Sequence, residues 1–264
     1  MTKHDLIKLV AEKLKNAGIQ SADFEARQLT LDIKELNNEA LKTVEMRLNR
    51  RLNHEPLQYI LGEWEFYGLP FKVGEGVLIP RPDTETLVEA ALPILRTKIK
   101  PTVLDLCAGS GCIGIALAKQ LTATVIFLEK SKKAIKYLNE NLVLNGVKAE
   151  VMECDILNMP KLDFKADMLV SNPPYIKTKV IDELEPEVKR EPKMALDGGE
   201  DGLRFYRYIA SEWKKALNEG GYLVLEIGFD QGEEVKKILQ DEGFLDVSCK
   251  KDLSGLDRVV LGHI

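Results

Sequence analysis

Four consecutive residues near the middle of the chain, Asn172-Pro173-Pro174-Tyr175, are of types that could hold a planar amino group for reaction. They follow the apolar run 168–171, and the prolines cannot extend a central strand because they lack the N–H that its ladder needs. The prolines instead fix the backbone, so the Asn172 side-chain oxygen and the Pro173 carbonyl can accept both N–H bonds of an amide or nucleobase amino group. Tyr175 would form an aromatic wall beside it. The tetrad therefore predicts a site that turns a nitrogen lone pair toward an electrophilic methyl group.

A glycine-rich segment earlier in the chain predicts a cofactor site. It runs from Asp105 to Gly111 at the end of an apolar strand, and its glycines let a ligand approach the backbone where the next helix begins. Glu129 ends the following strand, where a carboxylate can accept hydrogen bonds from both hydroxyls of a ribose. Together these features favour a cofactor that contains adenosine. Gly114 completes a Gly-x-Gly-x-x-Gly pattern, so NAD is also compatible with the loop. The acidic Asp105 and the tetrad instead favour an adenosine-containing cofactor that donates a methyl group.

The order of apolar segments predicts the scaffold that positions both motifs. Beyond residue 101, apolar strands alternate with amphipathic helices, a pattern typical of a doubly wound, mostly parallel sheet covered by helices on both faces. The predicted strands are 103–106, 125–129, 150–154, 168–171, 222–227, 245–249 and 258–261, and the predicted helices are 113–120, 131–145, 203–217 and 233–240. If the strand 168–171 lies beside 103–106, the glycine loop and Asn172 face each other at the carboxyl ends of the strands, where such sheets bind ligands.

The first sixty residues predict a small helical bundle that precedes the sheet. Three apolar stripes at helical spacing occur there, the first stopped by Gly18, and Ser21 is placed to cap the second helix. The segment 64–73 has the pattern of two aromatic-rich strands around a turn, and glycines and prolines follow it. We therefore predict a helical domain over 1–60, a linking β-hairpin over 61–80 and the α/β domain over 81–264.

Composition excludes several classes of protein. The chain has 264 residues, of which 45% are apolar and 30% charged, and its net charge of −5 argues against a protein that holds duplex nucleic acid over many phosphates. Arg47, Arg50 and Arg51 form a local basic cluster that we interpret as a solvated helix face. The cysteines and histidines lack metal-ligand spacing, and no apolar run reaches the length of a membrane span or a signal-peptide core. These features predict a soluble, cytoplasmic protein without a metal.

The motifs resemble those of a known group of enzymes. The Asp-x-x-x-Gly-x-Gly loop with a later acidic residue resembles the S-adenosylmethionine-dependent, Rossmann-like methyltransferases, and Asn-Pro-Pro-Tyr marks the branch that methylates amino groups. The segments 77–85, 191–192 and 195–203, together with the N-terminal helices, the hairpin and the closing 257–260, resemble the PrmC/HemK family of peptide chain release factor glutamine methyltransferases. The resemblance spans nearly the whole chain. It implies methyl transfer from S-adenosyl-L-methionine to the side-chain amide nitrogen (N5) of the glutamine in the Gly-Gly-Gln motif of release factors.

The resemblance also implies roles for individual residues. The implied catalytic residues are Asn172, Pro173 and Tyr175, and the implied substrate site adds Pro174 to them. The implied cofactor site is Asp105, Cys107, Ala108, Gly109, Ser110, Gly111, Glu129, Asp155, Ile156 and Asn172. Asp155 and Ile156 would lie at the adenine. Many relatives have Gly in place of Cys107, Asp in place of Glu129 and an aromatic residue in place of Ile156. Cys107 is interpreted as a small buried filler, and no general base is assigned.

Two alternatives stay open at the level of sequence. A nucleic-acid amino methyltransferase, acting on adenine N6 or guanine N2, would share the tetrad but should carry a basic face. An NAD-binding oxidoreductase or a binding module without catalytic activity would share the glycine loop but would not require Asn172. The partner expected here is a release factor, with no direct contact to nucleic acid and no membrane.

Overall fold

The computed structural model describes residues 2–264, and its helices and strands follow the predicted alternation. The helices are α1 Lys3–Asn16, α2 Ala22–Leu29, α3 Asn38–Leu52, α4 Leu57–Leu61, α5 Glu85–Leu95, α6 Cys112–Gln120, α7 Lys132–Leu144, α8 Arg204–Ser211 and α9 Gly232–Asp241. The strands are β1 Glu63–Phe66, β2 Leu69–Lys72, β3 Thr102–Leu106, β4 Thr124–Glu129, β5 Glu150–Glu153, β6 Ala166–Ser171, β7 Leu217–Glu226, β8 Leu245–Lys251 and β9 Asp257–His263.

The central sheet has the strand order β5-β4-β3-β6-β7-β9-β8. Strands β3 to β7 are parallel to their neighbours in that run, and β9 is antiparallel to both β7 and β8. β3 and β6 are adjacent, with Leu106 opposite Ser171 at their carboxyl ends. From β3 the chain winds outward to β5 and then returns to the other side of β3. The strand order therefore reverses between β3 and β6, which confirms the predicted fold class and its crevice.

Apolar side chains on the two faces of the sheet form separate layers. Successive strand residues alternate between them, so that Val103 packs with α5, α6 and α7, whereas Leu104 packs with α8 and α9. The second layer contains Tyr206 and Trp213, both fully buried. Burial of one large apolar side chain stabilises the fold by about 1.5–3 kcal/mol. This packing therefore holds the strands, and with them their carboxyl ends, in place.

The β1–β2 hairpin packs against the first of these layers. Phe66 and Phe71 are buried in the same core as α5, α6 and α7. The Tyr67 N–H donates to a carboxylate oxygen of Glu85 at 2.8 Å, and the Lys72 N–H donates to the side-chain oxygen of a buried asparagine on α7 at 2.6 Å. The hairpin is therefore packed against and hydrogen-bonded to the α/β domain.

The N-terminal helices enclose an apolar core of their own. α1 begins with a capping box, in which the Thr2 hydroxyl accepts the Asp5 N–H while Asp5 accepts the Thr2 N–H. Ser21 occupies the N-cap position of α2, but the predicted cap is wrong because its side chain accepts no hydrogen bond from the helix. Its backbone, at φ −86° and ψ 25°, is not extended, and its hydroxyl donates to Glu25 at 2.8 Å instead.

The predicted helix over 203–217 is wrong in its second half. α8 ends at Ser211, a short 3₁₀ turn covers Trp213–Ala216, and β7 begins at Leu217. The cause is tertiary, because the buried Trp213 indole N–H donates to the Ile156 carbonyl, which follows β5 in the same apolar layer, at 2.8 Å. The turn that places the indole there ends the helix, and the chain enters β7 earlier than its apolar pattern indicated.

The interpretation of the three arginines on α3 as a solvated face is wrong. Arg47 pairs with Asp32 at 2.6 Å, Arg50 pairs with Glu55, and Arg51 pairs with Glu25 at 2.5 Å. Arg51 is buried, and its Nη1 donates to Glu187 at 2.7 Å in the segment that follows the tetrad. Each guanidinium thus has a carboxylate partner, so these arginines do not form an open basic patch.

Candidate active site

A cavity of about 560 Å³ lies at the carboxyl ends of β3, β4 and β6, where the strand order reverses. Its size is in the range of small-molecule and cofactor sites. The predicted residues that line it are Cys107, Ala108, Gly109, Ser110, Glu129, Asp155, Ile156, Asn172 and Pro174. The structure thus brings most of the predicted cofactor residues and half of the tetrad to one place, although β3 and β6 are far apart in sequence.

The glycine loop has a left-handed backbone at several positions. Cys107 has φ +58° and Gly109 has φ +56°. A Cβ added to Gly109 would meet only one atom, at 4.0 Å, so this position faces open space in the cavity. A residue with a Cβ at position 107 is strained by about 1–2 kcal/mol, which is a physical reason for the glycine that the family resemblance implies there. Burial raises the pKa of the Cys107 thiol, so it stays protonated, in keeping with a filler rather than a nucleophile.

Glu129 ties the glycine loop to the start of α7. One carboxylate oxygen accepts the Gly109 N–H at 2.8 Å and the other accepts the Ser131 N–H at 2.7 Å. Burial raises the pKa of this carboxyl, and the backbone donors oppose that shift. Each oxygen retains a second lone pair, so a residue that shapes the loop can also accept hydrogen bonds from a ligand in the cavity.

Asp105 lies beneath the loop and is not among the residues that line the cavity. One of its oxygens accepts the Gly114 N–H at 2.9 Å, and the other has no hydrogen-bond partner among the described residues. Burial raises the pKa of Asp105 to about 7. A Cβ on Gly114 would come within 2.4 Å of the Phe127 ring, so the third glycine of the pattern lets α6 approach the sheet. Gly114 thus has a packing role that does not require a pyrophosphate.

Asp155 and Ile156 follow β5 and line the opposite wall. Asp155 pairs with Lys130 at 2.7 Å, and that hydrogen bond lowers the pKa of its carboxyl. Ile156 is almost fully buried, and its carbonyl is held by the Trp213 indole. The side chain of Ile156 gives this part of the cavity an apolar surface against which a flat ring can pack.

The tetrad follows β6, with its residues divided between the cavity and the protein interior. Asn172 lines the cavity, and its Nδ2 donates to the Thr84 hydroxyl oxygen at 3.3 Å. Pro174 also lines the cavity, whereas Pro173 and Tyr175 do not. The Tyr175 hydroxyl lies 3.5 Å from Oε1 of Glu226, in the interior. The structure therefore does not place the Tyr175 ring as the aromatic wall expected from the sequence.

Sequence reasoning missed a group of residues that close the cavity from the side of the hairpin. Glu191 is buried, accepts the Ile79 N–H at 3.0 Å and forms an ion pair with Arg81. This contact joins the segment before α5 to the segment after the tetrad. The signal was present only as a resemblance of the segments 77–85 and 191–192 to a family, because no local pattern shows that they meet.

Neither a metal-binding cluster nor a membrane-spanning helix occurs within residues 2–264. No group of three or more His, Cys, Asp or Glu side chains within that range is arranged to hold a metal ion. Among the same residues, every helix is too short or too polar to cross a membrane.

A Rossmann-like sheet with a glycine loop after β3, an acidic residue at the end of β4 and Asn-Pro-Pro-Tyr after β6 defines a methyltransferase. Family models match as "Methyltransferase small domain" over residues 83–199 and as "PrmC N-terminal domain" over residues 29–62. The chain belongs to the family of release factor glutamine methyltransferases, because it is similar along most of its length to curated proteins of that name. One, from Fusobacterium nucleatum subsp. nucleatum, is 41% identical over 274 residues, which cover 97% of this chain and 77% of that protein.

Further comparisons agree in sequence and in fold. A release factor glutamine methyltransferase from Geobacter sulfurreducens is 46% identical over 233 residues, covering 88% of this chain and 81% of its own. The fold is also shared with a 16S rRNA N2 methyltransferase from Thermus thermophilus, solved with AdoMet and guanosine. That structure is 19% identical, has a TM-score of 0.56, and the match covers 76% of this chain and 49% of that chain.

Proposed function

We infer that this protein transfers a methyl group from S-adenosyl-L-methionine to the side-chain amide nitrogen of the glutamine in the Gly-Gly-Gln motif of peptide chain release factors. The observation that carries this inference is that Asn172 and the glycine loop share one cavity, in a chain with the family membership given above. The nucleic-acid and NAD alternatives gain no support, since the α3 arginines are paired and Gly114 serves packing.

The residues of the cavity fit S-adenosyl-L-methionine. Gly109 leaves open space above the loop, Glu129 retains lone pairs for ribose hydroxyls, and Ile156 offers an apolar surface for adenine. Asp155, which also lines the cavity, is held by Lys130 beside that surface. When bound, this cofactor supplies a methyl group already activated by a sulfonium, so the protein need not supply a nucleophile or a metal.

The chain's own work is to bind and orient the substrate amide. The Asn172 side-chain oxygen and the Pro173 carbonyl would accept the two N–H bonds of the glutamine amide and turn its nitrogen toward the cofactor site. These acceptors strengthen as positive charge develops on the nitrogen, so they stabilise the transition state more than the bound substrate. Pro174 and Ile156 line the same cavity and exclude water from it.

The helical domain would bind the body of the release factor. A second cavity, of about 420 Å³, lies between α2, α3 and the segment after the tetrad, and it shares Ile79 and Arg81 with the first. Phe24 lines this second cavity and is half exposed. A factor whose flexible Gly-Gly-Gln loop entered the first cavity could rest its body along the second. Release factors act in translation, so we place this activity in the cytoplasm.

The test is methyl transfer from labelled S-adenosyl-L-methionine by the full-length protein. Intact bacterial release factor, the Gly-Gly-Gln loop peptide, and ribosomal RNA are offered in separate reactions. We expect label in the release factor, and mass spectrometry should place the added methyl on the glutamine of the motif. Label in the RNA, or on another residue of the factor, would contradict the proposed function.

A further inference from the structure

The Asn172 amide can present either its oxygen or its nitrogen to the cavity, and only the oxygen can accept a substrate N–H. In the structure its Nδ2 donates to the Thr84 hydroxyl oxygen at 3.3 Å, which leaves Oδ1 for the cavity. The two orientations have nearly the same shape, so packing alone does not choose between them. The choice depends on what Thr84 does with its own hydrogen.

Thr84 is buried next to the start of α5, and its hydroxyl has a single hydrogen to donate. Because the oxygen accepts from Asn172, the hydrogen must point elsewhere. Thr84 is the N-cap residue of α5, which packs against β7, and its hydroxyl lowers the pKa of the Glu226 carboxyl at the end of that strand. Glu226 ends β7 and is almost fully buried, and its Oε2 has no hydrogen-bond partner among the described residues. A buried carboxylate oxygen without a donor is costly, so the Thr84 hydrogen has a strong reason to turn toward it.

We propose that Glu226 and Thr84 are positioning residues that set the direction of the Asn172 amide. The carboxylate takes the Thr84 hydrogen, the Thr84 oxygen then takes a hydrogen from Asn172 Nδ2, and Asn172 Oδ1 is left facing the substrate. The inference rests on the proposed function, since it assigns a purpose to the direction of an amide that must accept a substrate N–H. Neither residue touches the reacting nitrogen.

The relay works in this direction only while Glu226 is ionised. Burial raises the pKa of Glu226 to about 7, the Thr84 and Tyr175 hydroxyls and the Arg258 guanidinium lower it, and Asp83 raises it. Cys112 and Tyr206 also lie close enough to be influenced by its charge. A protonated Glu226 would donate to Thr84, and Thr84 would then donate to Asn172 and favour the flipped amide. The rate of methyl transfer should therefore fall as the pH falls through about 7.

The experiment compares single-turnover rates of methyl transfer to intact release factor, with S-adenosyl-L-methionine affinity measured separately by calorimetry. Thr84→Val removes the hydroxyl but keeps the shape, and it should slow transfer about 10- to 100-fold while changing cofactor affinity by less than about twofold. Thr84→Ser restores the hydroxyl and should recover most of the rate. Thr97→Val is the matched control, because Thr97 is an exposed threonine at the far end of α5 whose hydroxyl bonds only to the Ile94 carbonyl. A Thr84→Val rate equal to that of the control would overturn the relay.

A second variant tests the carboxylate through the pH profile. Glu226→Gln cannot ionise, so the loss of rate between pH 8 and pH 6 seen in the unchanged protein should disappear, and thermal unfolding checks that the variant is folded. An unchanged acid limb in Glu226→Gln would contradict the role of Glu226. Asn172→Ala separates the two levels of inference. If it is inactive while Thr84→Val is fully active, only the relay fails, whereas an active Asn172→Ala would remove the site from the proposed function.

Discussion

The backbone N–H of Gly109 donates to the Glu129 carboxylate at 2.8 Å, so the loop predicted to carry the cofactor is held by the residue predicted to bind its ribose. Two functions predicted separately from the sequence are therefore coupled in one side chain. A change at Glu129 would act on the proposed ribose contacts and on the shape of the loop at once.

Glu129→Ala should weaken S-adenosyl-L-methionine binding by about 1–3 kcal/mol, the value of hydrogen bonds to a charged acceptor. Glu129→Gln should weaken it less, since its amide oxygen can still accept one backbone N–H. Calorimetry on both variants measures the affinities, and Glu153→Ala on the neighbouring strand end is an exposed control. Equal affinity in all the proteins would show that Glu129 does not bind the ribose.

Asn172→Ala should abolish methyl transfer and leave cofactor binding nearly intact. Its amide is proposed to orient the acceptor nitrogen, whereas the proposed cofactor site is formed by the loop after β3 and the end of β4. Transfer rate and calorimetric affinity must be measured on the same preparation. Substantial activity in this variant would refute the proposed role. Asn172→Asp retains a side-chain oxygen, and we expect it to keep some activity.

Asp105→Asn should stabilise the protein more at pH 8 than at pH 5. Burial raises the pKa of Asp105 from an ordinary 3.8 to about 7, so the folded protein keeps a proton that the unfolded chain releases. The stability linked to this group is complete below about pH 4 and is lost as the pH rises through about 7.

Urea unfolding at the two pH values measures the difference. Asparagine cannot ionise, so the variant should gain on the order of 2–4 kcal/mol relative to the original protein between pH 5 and pH 8. Glu226 titrates in both proteins and cancels from the comparison. The exposed Asp163→Asn serves as the control and should show no such gain. An identical effect of Asp105→Asn at both pH values would show that the buried carboxyl is not protonated.

Phe24→Ser should slow methylation of intact release factor about tenfold and leave the rate with the Gly-Gly-Gln peptide unchanged. Phe24 lines the second cavity. Removing one well-placed aromatic contact from an interface typically costs about 1–2 kcal/mol of binding free energy. Val143→Ser on α7 is the control, because Val143 is also an exposed apolar side chain, and it lies on the α/β domain. Equal slowing on both substrates would contradict a recognition role for this surface.

Point variants of the full chain are better suited to this question than a deletion. A chain that began near Gly74 would lack the hairpin, and with it Phe66 and Phe71 would leave the core shared with α5, α6 and α7. Loss of activity after such a cut would report a damaged core as readily as a lost docking surface.

The amino-acid sequence alone was sufficient to predict the sheet, the loop and the tetrad. Strands buried on both faces are continuous apolar runs, and a Gly-x-Gly turn or an Asn-Pro-Pro-Tyr segment has a strong local conformational preference. The adjacency of β3 and β6 was only a condition of the sequence argument, and the structure meets it.

Other features were decided by the tertiary structure. Arg51 looked like one of three exposed arginines, yet it is buried between Glu25 and Glu187, which are distant in sequence. Tyr175 belongs to a motif that suggests an aromatic wall, yet its hydroxyl lies beside Glu226, at the end of a strand far along the chain. Spacing within a segment shows which residues share a face. The partner that each side chain meets depends on how distant segments pack. The proposed direction of the Asn172 amide depends on the same packing, because Thr84 and Glu226 come from other segments of the chain.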